Sequence, residues 1–278
     1  LHYYFREKPA QEVKLAFLDA RGRVLREFSS KGVAPPQRSG VVYAVTSDVQ
    51  AVTVPAEMGA NRFVWNMRLP GAREVPGAAM WFGFLGGPAI LPGTYQARLS
   101  VGNEIITQPF EIRRDPRISA TDDELKEHFE FLLKVRDALT EVHAAVLSVR
   151  DIRAQIQQWV ARAEGLSGSG ALAGAAKELS SELDSIEDEL IQWRAQAFED
   201  TFHFPVRLNN KLATIADLTN MADAVPTRQV REVFGELRAH ADAQLARLEA
   251  VKRGGCAMFS DALRELGVPP IRLLPAGE

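Results

Sequence analysis

The feature of this sequence that most constrains its fold is a change in hydrophobic periodicity near residue 114. Before that position, apolar residues alternate with polar ones and Pro, Gly and aromatic residues are frequent, which is typical of half-buried β-strands. After it, apolar residues recur every three or four positions in a segment rich in Ala, Leu, Glu, Arg and Gln, which is typical of amphipathic helices. A length of 278 residues exceeds the usual size of one domain. The sequence therefore predicts a two-domain α+β protein, β-sandwich first and helices after.

Short strands separated by turns are predicted in the first half. Gly22 lies between two alternating segments and tolerates the positive φ of a tight turn, which indicates a hairpin. Pro92-Gly93 and Gly102-Asn103 bound a second pair of strands. The predicted strands cover residues 13–18, 24–28, 61–67, 94–101 and 104–112. Residues 31–60 and 70–92 are too long for tight turns, so we expect them to cross between the sheets of a sandwich.

The helical half contains a strong start signal and a clear interruption. Thr121 and Glu124 form a capping-box pattern, and the helix that starts there can run to Glu164. The next helix carries a heptad repeat, formed by Leu172, Ala176, Leu179, Leu183, Ile186, Leu190, Trp193 and Ala197. Pro205 interrupts that segment because proline lacks the amide donor that a helix interior needs. Thr227 can cap a last helix.

The lengths of these segments decide how we expect them to pack. At about 1.5 Å per residue, residues 122–164, 171–222 and 228–266 form rods of comparable length. We therefore predict an antiparallel bundle of three long helices, the middle one kinked or broken near Pro205, in preference to a four-helix bundle with one very short member. The predicted division is a sandwich over 1–114, a linker over 115–120, a helical bundle over 121–268 and a tail over 269–278.

Charge and composition remove several classes of protein. A net charge of −3, from 33 basic and 36 acidic residues, gives no electrostatic reason to expect nucleic acid. No apolar window is long enough to predict a membrane span, and the first thirty residues lack a signal-peptide pattern. Cys256 is the single cysteine and cannot form an internal disulfide. The strand-like start at Leu1 suggests a processed product or the tail of a longer protein.

Catalytic and metal-binding patterns are weak. The acidic cluster Asp184, Glu187, Asp188 and Glu189 lies opposite the heptad seam, so we expect a solvated helix face and no glycosidase carboxylate pair. We place His128, His143 and His240 at the surface, His203 in the packing at the helix break, and Cys256 in a buried apolar position. The sequence therefore predicts no catalytic residue, no metal site and no cofactor.

The most suggestive binding segment is the loop from Met80 to Gly87. Trp81, Phe82 and Phe84 lie there between glycines, and they could form an exposed platform for a sugar or another protein. The alternative is that Trp81 and Phe84 close the end of the sandwich. A second unusual feature is Asn209-Asn210 inside a predicted helix, which we expect to hydrogen-bond the backbone opened at Pro205.

Five short segments resemble a known arrangement. They are Gly59–Asn66, Pro92–Tyr95, Asp115–Arg117, Phe204–Leu212 and Val225–Thr227. Together they resemble the C-terminal part of large secreted bacterial propeller proteins related to sortilin, often labelled glycosyl hydrolases or BNR-repeat proteins. The first two segments and the hairpin also resemble the immunoglobulin-like domain that caps flagellar hooks. The resemblance implies an immunoglobulin-like sandwich, a propeller preceding residue 1 and a periplasmic or extracellular location.

These observations leave three hypotheses about function. The first is a non-catalytic module for protein interaction or assembly, acting on a protein partner or on itself. The second is an accessory part of a glycoside hydrolase whose catalytic propeller is absent from this chain. The third is a carbohydrate-binding module that acts through Trp81 and Phe82.

Overall fold

A computed structural model describes residues 1–32 and 53–268 of the chain. The strands are β1 (His2–Phe5), β2 (Val13–Asp19), β3 (Val24–Ser29), β4 (Gly59–Arg62), β5 (Gly93–Val101) and β6 (Glu104–Ile112). The helices are α1 (Asp122–Ala163), α2 (Ser169–Leu190), α3 (Leu208–Asn220), α4 (Arg228–Arg253) and α5 (Gly255–Leu266), with a 3-10 helix at Phe198–Phe202. The predicted mixed fold, with antiparallel strands first and helices after, is confirmed.

The described strands form two antiparallel sheets. β1 pairs with β4, and the second sheet has the order β3-β2-β5-β6. Both predicted hairpins are present, because β2 pairs with β3 around Gly22 and β5 pairs with β6 around Gly102. One apolar cluster connects the sheets, with Val13, Leu15, Phe17, Val54, Phe63 and Ala97 at its centre. Most of the loop predicted over residues 31–60 lies outside the described residues.

The strand predicted over residues 61–67 is wrong beyond Arg62, where β4 ends. Phe63 is still buried, and the Trp65 ring stacks on Phe17 with centroids 4.0 Å apart. Met67, predicted on the same face, is 48% exposed. Its backbone has a φ of +57°, which ends the alternation of side chains that an extended strand would give.

α1 starts at the predicted capping box and α4 at the predicted cap Thr227, whereas the helix break predicted near Pro205 is longer than expected, from the end of α2 to the start of α3. The Thr121 hydroxyl accepts from the Glu124 amide, and the Glu124 carboxylate accepts from the Thr121 amide. α2 ends at Leu190, so the prediction that Trp193 and Ala197 continue its heptad seam is wrong. Ile191 becomes extended, which buries its own side chain in the core and leaves Trp193 52% exposed.

Ion pairs between helices show how they run. Arg150 and Arg153 of α1 pair with Glu187 of α2, and Arg153 also pairs with Asp184, so α2 is antiparallel to α1. α3 also packs on α1, where Asn209 lies 3.3 Å from His143. α4 runs parallel to α1, because its residues 231 and 238 pair with residues 127 and 141 in the same order.

The segment before β5 packs on the helices. Ala72, Val75, Met80 and Leu85 belong to the same buried cluster as Leu139 and other α1 residues. Phe84 packs with Phe131, Leu132, Val135, Ile215 and Ala216. The alternative in which Phe84 closes the end of the sandwich is therefore wrong, because this ring packs against apolar residues of α1 and α3. The predicted domain boundaries stay a prediction, but this loop belongs to the helical core.

Candidate functional site

The loop from Met80 to Gly87 is attached to α3 by the side chain of Asn210. This side chain is 4% exposed and lies in the first turn of the helix. Its Oδ1 accepts from the Trp81 amide at 2.7 Å, and its Nδ2 donates to the carbonyl oxygens of Trp81 at 2.7 Å and Phe82 at 3.1 Å. The side chain of Asn210 thereby satisfies the hydrogen-bonding groups of the loop backbone, as the backbone of a neighbouring strand would.

A second attachment follows two residues later in the loop. The Phe84 amide donates to the carbonyl oxygen of Ala213 at 2.9 Å. Gly83 lies against the same residue with a φ of +128°, and a Cβ placed on it would be 2.7 Å from the Ala213 Cβ. Glycine is required at this position by both the backbone conformation and the close approach of the helix.

Phe82 is held between these two attachments in a strained conformation. Its φ of +50° is rare for a bulky side chain and costs on the order of 1–3 kcal/mol. Phe82 is nevertheless 46% exposed, so nearly half of this large apolar residue stays in contact with water. The hydrogen bonds on both sides of Phe82 fix the backbone that presents this ring at the surface.

Three aromatic rings meet at this surface, and we call Trp81, Phe82 and Phe202 the aromatic cluster. The Trp81 and Phe82 centroids are 5.2 Å apart with an interplanar angle of 81°. The Trp81 and Phe202 centroids are 4.7 Å apart at 69°. Phe202 is 70% exposed, and Trp81 is half-buried between its neighbours.

The structure brings together two of the three residues predicted as a binding site. Trp81 and Phe82 lie in the aromatic cluster, whereas Phe84 is buried between α1 and α3. The guanidinium of Arg68 covers the Phe84 ring at 4.9 Å. Phe202 was missed by the sequence analysis, in which residues 202–204 mark only a helix break.

The expectation for Asn209-Asn210 is wrong in its partner. The carbonyl of Pro205 accepts instead from Gln192 Nε2 at 3.0 Å. Asn209 Nδ2 lies 3.3 Å from His143 Nε2, which accepts from it, and His143 Nδ1 donates to the Arg73 carbonyl. His143 is 1% exposed, so its predicted surface position is wrong, and burial lowers its pKa to about 4.

His128 is also buried, at 9% exposed, which corrects its predicted surface position. It packs on the turn after α3, where its Nδ1 lies 2.8 Å from the Ala224 carbonyl oxygen. In contrast, His240 is exposed and lies 3.3 Å from Glu189. The helical period alone does not separate these three histidines, because all lie beside apolar positions.

The acidic cluster of α2 is only partly a solvated face. Glu187 is 2% exposed, and its carboxylate accepts from Arg150 Nε and Arg153 Nη2 at 2.6 Å each. Asp188 pairs with Arg207. The prediction of a solvated position is therefore wrong for Glu187, because α2 packs this edge against two arginines of α1. The cluster is held by cations and forms no opposed carboxylate pair facing a cleft.

The described ranges, 1–32 and 53–268, contain no group of three or more His, Cys, Asp or Glu side chains arranged to hold a metal ion. Burial raises the pKa of the half-buried Cys256 thiol, which keeps it protonated at neutral pH. No helix in these ranges combines the length and apolarity that a bilayer crossing requires.

Comparison of the chain with protein-family models, with curated proteins and with solved structures gives no significant match.

Proposed function

We propose that this chain is a non-catalytic protein-interaction module that binds its partner through the aromatic cluster. The observation that carries the proposal is the strained, 46% exposed Phe82 beside a buried Asn210 that holds the loop. Strain in a backbone persists only where the surroundings enforce it, and it concentrates at functional sites. Exposed aromatic rings on a fixed backbone contribute most to protein interfaces, because little conformational entropy is lost on binding.

The angles between the rings favour a protein partner over a sugar. A sugar stacks on the flat face of a ring, whereas Phe82 and Phe202 stand at 81° and 69° to the Trp81 plane. Such edge-to-face rings form a ridged apolar surface that accepts branched or aromatic side chains of a protein. The carbohydrate-binding hypothesis is therefore the weaker one on this geometry.

The wider setting of the module is proposed from sequence resemblance. The five segments described above support a C-terminal position in a larger secreted protein of the sortilin-like propeller class, with a periplasmic or extracellular location. They also support an immunoglobulin-like sandwich as a separate domain from the helical bundle. In this setting the chain attaches the larger protein to another copy or to a protein partner, and hydrolase activity belongs elsewhere.

The test is photo-crosslinking of the chain expressed in its native host. A photo-reactive benzoylphenylalanine replaces Phe82 or Phe202. A matched control places the same group at Val233, an exposed apolar residue of α4 that is 44% exposed. We expect one discrete protein adduct from positions 82 and 202 and none from position 233. The variant F82G should lose the adduct formed from position 202 while its circular dichroism spectrum is unchanged.

Two results would overturn the proposal. The first is a crosslinking result without specificity, which means equal labelling from all three positions or no adduct from any of them. In either case the purified protein would also stay monomeric at all concentrations in sedimentation equilibrium. The other is glycoside hydrolysis that survives repurification and disappears when one carboxylate is replaced. A discrete adduct that is a dimer of this chain would identify the partner as a second copy.

A further inference from the structure

A crevice of about 320 Å³ lies between the strands and the helices, apart from the aromatic cluster. This volume is at the lower end of the range for small-molecule sites, which occur preferentially where structural units meet. Pro92 and Ile112 line one wall beside the ends of β5 and β6, and Leu125, Phe129 and Leu132 of α1 line the other. The crevice is therefore shaped for a small ligand with an apolar body.

Arg68 brings a fixed positive charge to this crevice. Its Nη1 donates to the Gly87 carbonyl oxygen and to Asn220 Oδ1, both at 3.0 Å, and its guanidinium covers the Phe84 ring. No carboxylate of the described residues lies within ion-pair distance of Arg68. These contacts leave the Nε and Nη2 donors of a half-buried guanidinium unused, and carboxylates are the usual partners for such donors.

The other charges of the lining are already compensated or lie at the rim. Arg113 pairs with Glu111, and Asp115 pairs with Arg117. Arg114 Nη1 lies 3.5 Å from Asp122, and Asp223 is exposed to solvent. Arg68 is thus the cation that this part of the described structure leaves available for an anionic ligand.

A second polar group in the crevice has an open hydrogen-bonding position. His128 lines the crevice and is 9% exposed. Its Nδ1 donates to the Ala224 carbonyl oxygen at 2.8 Å, because a carbonyl can only accept. In the neutral ring Nε2 is then an acceptor, and none of the described residues donates to it. Because His128 lines the crevice, a ligand bound there can donate a hydrogen bond to this nitrogen.

We propose that this crevice binds a small carboxylic acid that has an apolar body and a hydroxyl or amide donor. Arg68 holds the carboxylate, and His128 Nε2 accepts from the donor of the ligand. The apolar walls of α1 and the strand ends cover its body. This site is independent of the aromatic cluster and of any protein partner.

The probe for this site is 3-phenyllactate, which has the three groups in a molecule small enough for the crevice. The full chain is titrated while the carbon and proton signals of its histidine rings are followed by nuclear magnetic resonance. We expect the His128 signals to shift saturably, with a dissociation constant on the order of 1 mM or lower. The neutral 3-phenyllactamide should bind at least tenfold more weakly, and 3-phenylpropionate, which lacks the hydroxyl, several-fold more weakly.

Three variants make the test specific. R68Q should weaken binding at least tenfold, whereas the control R264Q, altered at an exposed arginine of α5 that pairs with Asp261 and lies outside the crevice lining, should bind as the original protein does. If R68Q does not fold, I118W, at another residue of the lining, fills the crevice and should abolish binding. Equal affinity for the acid and its amide, no saturable shift up to about 20 mM, or unchanged binding in R68Q or I118W would overturn the proposal.

Discussion

The side chain of Asn210 and the backbone of Trp81 form a reciprocal pair of hydrogen bonds, each 2.7 Å long, across 129 positions of sequence. This pair joins the first turn of α3 to the loop that presents the aromatic cluster. Without it, the loop would lose the partners of an amide and a carbonyl at the point where Phe82 is strained. The geometry of the proposed binding surface therefore depends on the attachment of the loop to α3.

The first prediction concerns this attachment. Replacing Asn210 with Ala should lower the free energy of unfolding by about 1–3 kcal/mol, because backbone groups of Trp81 and Phe82 lose their partners. Urea denaturation measures the change. Lys211→Ala, at an exposed neighbouring position, serves as the control and should stay within about 0.5 kcal/mol of the original protein. Equal effects of both changes would contradict the role given to Asn210.

A second prediction separates two phenylalanines of the same loop. Phe84→Ala should lower the free energy of unfolding by about 3–5 kcal/mol, because the ring is buried between α1 and α3. Phe82→Gly should cost far less, since glycine relieves a left-handed strain of roughly 1 kcal/mol or more. Thermal and urea unfolding of the two variants would check this order, and the reverse order would show that the loop is placed wrongly.

The third prediction locates the end of α2. Leu183 and Leu190 are both 0% exposed, so replacing either with Ala should cost about 2–5 kcal/mol. Trp193 would be the next heptad position, but it is 52% exposed and lies outside the helix. Trp193→Ala should therefore destabilise the protein much less than Leu190→Ala. A larger loss at Trp193 would mean that the heptad seam continues as the sequence pattern suggested.

The buried ion pairs of α1 and α2 give a fourth prediction. Glu187→Ala should lower the free energy of unfolding by about 1–3 kcal/mol, because Arg150 and Arg153, which are partly exposed, lose their charged hydrogen bonds to the buried carboxylate. Glu182→Ala, on the exposed side of the same helix, should change stability by no more than about 0.5 kcal/mol. Similar effects at both positions in urea denaturation would argue against a buried carboxylate.

A fifth prediction follows from the pKa of His143, which burial lowers from 6.5 to about 4. Between these values the unfolded chain binds more protons at this residue than the folded chain does, so stability falls as pH falls. The lost stability reaches about 3 kcal/mol below pH 4. Carboxylates also contribute at low pH, so the measurement is the difference between the original protein and His143→Gln. That difference should change between pH 6.5 and 4, and a constant difference would contradict the prediction.

Most of the secondary structure could be predicted from local sequence alone. The two hairpins, the capping box at Thr121 and the long helical periods follow from residues within a few positions of each other. Turn preferences, caps and hydrophobic periods act over such short distances, so they can be recognised without knowing the rest of the fold. The aromatic loop was likewise recognisable, because Trp81 and Phe82 stand out in composition.

In contrast, which of these residues are buried and what they contact depends on tertiary packing. The buried Glu187 contacts Arg153 and Arg150, which lie 34 and 37 positions away in the sequence. The buried His143 contacts the carbonyl oxygen of Arg73, 70 positions away. The heptad pattern ends at Leu190, where Ile191 becomes extended and its side chain is buried in the core. Phe82 and Phe84 lie two positions apart in the same loop. Phe84 is buried against α1 and α3, whereas Phe82 stays exposed at the surface. The burial of each of these side chains therefore depends on long-range packing, because tertiary contacts contribute more free energy than local propensity does.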